Sequence, residues 1–80
     1  MKDEYIKQFK DALKKENLKY TNQRFLIFEF LFSNKGHFEC DEIISKLKKQ
    51  KIKVSRATAY RTLDLLVKYD FARKMILDDG

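Results

Sequence analysis

The residues with the most pointed chemistry lie between positions 46 and 61. Lys46, Lys48, Lys49, Lys51, Lys53, Arg56 and Arg61 fall there with no acid among them. That stretch carries +7 in a chain of net charge +6, so the remaining residues sum to −1. Charge gathered in this way suits a polyanion, because each phosphate neutralised releases counterions. The plainer alternative is a solvated lysine face. Within the stretch, Ser55-Arg56-Ala57-Thr58-Ala59-Tyr60-Arg61 combines small residues with groups that read or grip nucleic acid. Arginine can bond a guanine edge through two N–H groups, and Thr or Tyr can touch a thymine methyl. Ala57 and Ala59 permit close approach to a groove.

Other reactive residues are sparse. His37 is the only histidine and Cys40 the only cysteine. One cysteine excludes a disulfide framework and an all-cysteine zinc cluster within the chain. Transition metals take four to six donors, so His37 alone holds none. No Ser-His-Asp set is present. The carboxylate pairs Asp41-Glu42 and Asp78-Asp79 fall at a helix start and a turn, where structure accounts for them. Two glycines leave no phosphate-cradling loop. The chain is therefore read as a binding domain and not an enzyme.

These groups need a scaffold, and the apolar pattern supplies one. Ile6, Phe9 and Leu13 predict a helix over 3–16, with Asn17 as its stop. Thr21 is a candidate N-cap for a helix over 22–33, nearly all apolar through Phe25, Ile27, Phe28, Phe30, Leu31 and Phe32. Such a helix is central to a small core or presents one face to a partner. Leu26 and Phe32 are expected to form an exposed patch. Ser33-Asn34-Lys35-Gly36 ends it. A third helix is predicted over Asp41–Gln50, and Lys51–Val54 alternates as a short extended link. Ser55 caps a fourth helix over 56–69, with Ala59, Leu63, Leu66 and Val67 turned to the core. Thr58 and Arg61 then lie nearly opposite Leu63, with Tyr60 on the flank. Leu65 falls on the outward side, where the pattern gives it no role. Phe71 to Leu77 reads as one strand entering a turn at Asp78-Asp79-Gly80.

Eighty residues, 44% hydrophobic with seven Phe and four Tyr, make one small folded domain. Charges interrupt every apolar run, so no membrane partner is expected. The N-terminus has no apolar signal region, which predicts a cytoplasmic protein. The element order predicts a mainly α fold, a winged helix-turn-helix of four helices followed by a truncated β-wing. In that architecture the fourth helix enters the major groove of double-stranded DNA.

Three segments resemble a known family. They are Leu18-Lys19-Tyr20-Thr21-Asn22-Gln23-Arg24, His37-Phe38-Glu39-Cys40-Asp41-Glu42-Ile43 and Ser55-Arg56-Ala57-Thr58-Ala59-Tyr60-Arg61-Thr62-Leu63. In this order they are similar to the ferric uptake regulator (Fur) family of bacterial metal-responsive repressors. The resemblance covers essentially the whole chain and is to the family's N-terminal DNA-binding domain. Residues 1–80 are expected to be that domain alone, without the C-terminal dimerisation and metal domain.

The resemblance implies a sequence-specific repressor domain bound to an A·T-rich palindromic operator. Tyr60 and Arg61 would contact base and phosphate, and Lys19 would reach an adjacent minor groove. Arg24 would contact phosphate or brace the fold. Ser55 and Thr58 would cap the fourth helix or bind a phosphate oxygen. In a full-length parent, a homodimer, His37 would ligate a divalent metal of the iron or zinc class, the other ligands coming from beyond Gly80. No cofactor is expected in the 80 residues themselves. Cys40 departs from the family's usual alanine. It is expected to fill an Ala-sized space, although a helix N-terminus can lower a thiol pKa and favour redox or ligand chemistry. The alternative function is a winged-helix protein-interaction module that uses the apolar second helix and reads no DNA sequence.

Overall fold

Local signals set the helix ends. A computed structural model of the chain describes residues 2–34 and 39–71. In it α1 spans Lys2–Lys15, α2 Asn22–Ser33, α3 Cys40–Lys49 and α4 Arg56–Lys68, close to the predicted ranges. α2 and α4 start where a hydroxyl replaces a missing helical acceptor. Thr21 Oγ1 accepts from the Arg24 N–H at 3.2 Å, and Ser55 Oγ from the Thr58 N–H at 3.1 Å. Asp3 and Glu4 in the first turn of α1, with Lys14 and Lys15 in its last, oppose the helix dipole.

With no proline and little glycine, the helices stop on other residues. Asn17, Lys51 and Asp70 take left-handed backbone, with φ of 58°, 64° and 61°. After α1, the Leu18 N–H reaches the Leu13 carbonyl at 2.8 Å and the Asn17 N–H that of Lys14 at 3.1 Å. After α3, Ile52 and Lys51 repeat the pattern on Leu47 and Lys48, both at 2.9 Å. These bonds satisfy carbonyls that a bare helix end leaves open. Beyond α3 the predicted alternation persists without a strand: Ile52 and Val54 turn inward and Lys51 and Lys53 outward. Asn34 closes α2, its side-chain amide donating to the Phe30 carbonyl at 2.7 Å.

α4 packs on each of the other three helices. Phe9 and Leu13 of α1, Ile27, Phe28 and Leu31 of α2, Ile43 and Leu47 of α3, and Ala59, Leu63, Leu65 and Leu66 of α4 form one core. At its centre the Phe9 and Phe28 rings stack 4.8 Å apart, and Phe71 meets both edge-on. Apolar α2 is thus interior. The expected exposed patch is absent: Leu26 and Phe32 are partly buried against the core, and Phe32 meets Tyr5 edge-on at 5.9 Å. A partner-binding face on α2 loses its apolar surface accordingly.

Two further expectations need correction. Leu65 is buried, whereas Val67 is 66% exposed. At about 100° per residue the two flank the same buried arc on opposite sides. The end of α1 closes the Leu65 side, where Glu16 and Leu18 line a depression with Arg61, Asp64, Leu65 and Lys68. Phe71 is buried in helical, not extended, backbone. The rest of the predicted strand and its turn, residues 72–80, lie outside the described residues. The described residues therefore show four helices and no strand, and the expectation of a β-wing lies outside them. Among them no helix is long and apolar enough to cross a membrane.

A polar staple joins the ends of α1 and α4. Glu16 Oε2 accepts from Lys68 Nζ at 2.8 Å and from the Tyr69 hydroxyl at 2.9 Å. These bonds, that of Lys68 first, hold the Glu16 carboxyl below its ordinary value of 4.5. A group whose folded pKa is depressed adds stability above its unfolded pKa and loses it as pH falls through the folded one. Glu16→Gln is therefore expected to lower the melting temperature at pH 7. The gap to the parent chain should close as pH falls below about 4.5. Melting curves from pH 7 to about pH 3 check this, and a gap constant across that range contradicts it.

Candidate nucleic-acid interface

The face in question is the outward side of α4 with the loops around it. α4 buries Ala59, Thr62, Leu63, Leu65 and Leu66 and turns Arg56, Ala57, Tyr60, Arg61 and Asp64 to solvent. Thr62 is fully buried, and its hydroxyl donates to the Thr58 carbonyl at 2.8 Å. Ser55 and Thr58 act together as a cap. Besides accepting from the Thr58 N–H, Ser55 Oγ donates to Thr58 Oγ1 at 2.9 Å. Ser55→Ala should cost about 0.5–2 kcal/mol. Urea denaturation checks this, and no loss would show that the cap contributes nothing.

Tyr60, expected on the flank of α4, is 51% exposed. Arg61 is exposed as well and makes no ion pair with an acid in the described residues. Its neighbours in the depression beside the α1 terminus include Glu16 and Asp64.

Lys19 and Arg24 form a separate unit. Arg24 is half-buried, and its Nη1 donates to the Lys19 carbonyl at 2.8 Å. The guanidinium therefore braces the connector before α2. Arg24 Nε is buried and makes no hydrogen bond among the described residues. Lys19 itself is exposed. Gln23 Nε2 donates to the Lys53 carbonyl at 2.9 Å, tying the start of α2 to the loop that leads into α4. Gln23 was in view only as part of a motif; the bond spans 30 residues, beyond any local pattern.

The lysine stripe divides. Lys46 pairs with Glu42 at 3.8 Å and lies 5.3 Å from the centre of the Phe30 ring. Lys48, Lys51 and Lys53 instead rim an open groove of about 480 Å³ whose apolar lining is Ile44, Ile52 and Val54. Arg56 departs from both patterns. Its Nη1 donates to Asp41 Oδ1 across the α3–α4 junction. Asp41 and then the Tyr60 hydroxyl one turn along hold the Arg56 charge, raising its pKa. Sequence reasoning counted Arg56 only as charge and Asp41 only as a helix-start acid. Fifteen residues separate them, so no spacing rule pairs them.

Cys40 is the first residue of α3 and packs partly buried against the core. Desolvation, and then the Asp41 charge, push its thiol pKa up. That opposes the dipole effect considered from sequence and fits a small apolar filler. Among the described residues no group of three or more His, Cys, Asp or Glu side chains is placed to hold a metal. His37 lies outside the described residues.

A four-helix domain with a capped, basic, outward-facing helix at its centre is the class of structure this geometry defines. A model of the ferric uptake regulator family matches residues 15–80. The chain belongs to the ferric uptake regulator family and corresponds to its N-terminal domain. It is 31% identical over 80 residues to a ferric uptake regulation protein of Campylobacter upsaliensis, covering 98% of this chain and 51% of that one. It is 33% identical over 66 residues to the ferric uptake regulation protein of Campylobacter jejuni subsp. jejuni, covering 80% of this chain and 42% of that one. The chain thus spans about half the length of the curated relatives it matches. No solved structure matches the chain significantly.

Proposed function

We propose that this chain is a sequence-specific DNA-binding domain of a metal-responsive transcriptional repressor, cytoplasmic, with no enzymatic activity. The observation that carries the reading is α4. It is capped by Ser55, anchored on three helices, and exposes Tyr60 and Arg61 at the end of a stretch of sequence, 46–61, whose cations have no acid among them. Tyr60 and Arg61 read bases and grip phosphate, Lys19 reaches a neighbouring minor groove, and Arg24 holds the Lys19 backbone in place. Ser55 and Thr58 set the helix start. Lys48, Lys51 and Lys53 add affinity without sequence preference.

The chain spans about half the length of these relatives, and the reading carries with it, as the family resemblance implies, a dimeric parent with an A·T-rich palindromic operator. Two half-sites bound by one dimer gain about 10² to 10⁴ from effective concentration. The 80 residues alone are therefore expected to bind duplex weakly. Response to an iron- or zinc-class metal would use His37 with donors from outside the described residues, which do not assemble such a set.

Titrating the 80-residue chain into a labelled A·T-rich palindrome and a scrambled duplex, across salt, tests this. Affinity should favour the palindrome and fall on a log–log slope of about −0.9 for each phosphate contacted. Added divalent metal should leave it unchanged. A salt-independent interaction, or equal affinity for both duplexes, overturns sequence-specific DNA binding. Nanomolar, metal-dependent binding by these 80 residues overturns the division of labour with a dimeric parent.

A further inference from the structure

Of the two arginines on the outward side of α4, one is engaged and one is not. Arg61 makes no ion pair with a described acid, whereas Arg56 is bonded to Asp41 of α3. The pair is open to water: the Arg56 side chain is 62% exposed and that of Asp41 74%. An exposed ion pair of this kind shifts an equilibrium by about fivefold at most. It is therefore strong enough to orient the guanidinium and weak enough to be exchanged. A phosphate offers the same planar pair of acceptors as a carboxylate, and the arginine fork fits both. Asp41 is fixed in the first turn of α3. It is thus a standing competitor for that fork at neutral pH.

Resting on the DNA-binding reading above, we infer that Arg56 is a phosphate-binding residue restrained by Asp41. In the free domain the carboxylate holds the guanidinium across the α3–α4 junction. On DNA the guanidinium exchanges Asp41 for a phosphate. Every association, on any sequence, then costs the ion pair. Asp41 lowers affinity for DNA at large, and contacts made by other residues must carry the preference for the operator.

The test is a double-mutant cycle on the 80-residue chain, with Asp41→Asn, Arg56→Gln and both together, titrated against the palindrome and the scrambled duplex. Asp41→Asn should tighten binding about two- to fivefold on both duplexes, the worth of an exposed pair. Arg56→Gln should weaken both and make the salt slope shallower by about 0.9, one phosphate contact. In the Arg56→Gln background, Asp41→Asn should gain less than about twofold. Equal gains in the two backgrounds would mean that Asp41 is only a screened like charge, and the inference falls. It falls too if Arg56→Gln leaves affinity and salt slope unchanged. If those results come with normal duplex binding by the parent chain and loss on Arg61→Ala, the DNA-binding reading survives. If the parent chain binds no duplex, both fall together. Melting curves accompany each variant, and Asp41→Ser replaces Asp41→Asn should the latter unfold.

Discussion

Phe28→Ala should remove about 3–5 kcal/mol of stability, the cost of emptying a large ring's place in a closed core. Phe28 has no exposed surface and meets four aromatic rings among the described residues. It stacks on Phe9 at 4.8 Å with the planes only 15° apart, and meets Phe71 edge-on at 6.0 Å and 87°. Phe25 and Phe32, from its own helix, lie 6.4 and 6.1 Å away. Offset and edge-on aromatic pairs each add about 0.5–1.5 kcal/mol beyond their buried area. A domain of this length holds about 4–12 kcal/mol in total. The substitution therefore takes a large share of it, and the cavity sits where α1, α2 and Phe71, past the end of α4, converge. Urea denaturation at 25 °C should show the midpoint falling steeply or the transition lost. Phe30→Ala is the control. Phe30 is only partly buried, with Lys46 over its ring, and should cost much less. Equal losses for the two would mean that the three-ring cluster is not the centre of the core.

The same cluster shows where the sequence was legible. Phe9 and Leu13 fell in periodic apolar positions, Phe28 fell in a nearly all-apolar run, and Thr21, Ser55 and Asn17 marked helix ends through side-chain and backbone chemistry that acts over three to five residues. Such signals are local, and the helices follow them. The inner face of α4 was less legible. Leu65 and Val67 are both aliphatic and border the same arc, so the helical wheel alone cannot choose between them. The choice was made by the α1 terminus and its Glu16 staple to Lys68 and Tyr69, contacts that span more than 50 residues. The candidate site divides the same way. Tyr60 and Arg61 were marked by their types and their place on one helix. The two links that frame them, Gln23 to Lys53 and Arg56 to Asp41, join segments 30 and 15 residues apart. Arg24 had two roles open from sequence, and the geometry supplies a bond for one of them, the brace on Lys19.

Arg61→Ala is expected to cost about 1–3 kcal/mol of binding to the A·T-rich palindrome, with little loss on a scrambled duplex. Arg61 is exposed and its neighbours on α4 that fill the core are Thr62 and Leu63, so truncation should leave the fold intact. Tyr60 divides into two tests. Tyr60→Ala removes a ring that is half exposed, and with it any stacking or methyl contact to a base. Tyr60→Phe removes only the hydroxyl and should cost less. Lys48→Ala and Lys51→Ala act on the rim of the lysine groove and should weaken both duplexes alike, with a slightly shallower salt slope. Lys46→Ala should do least to binding, because Lys46 is already engaged by Glu42 and the Phe30 ring. Titrations of each variant against both duplexes, with melting curves alongside, separate these outcomes. If Arg61→Ala weakens both duplexes equally, Arg61 is a phosphate clamp and specificity lies elsewhere. If it weakens neither, α4 does not read the operator, and the DNA-facing side of this domain has to be sought on another helix.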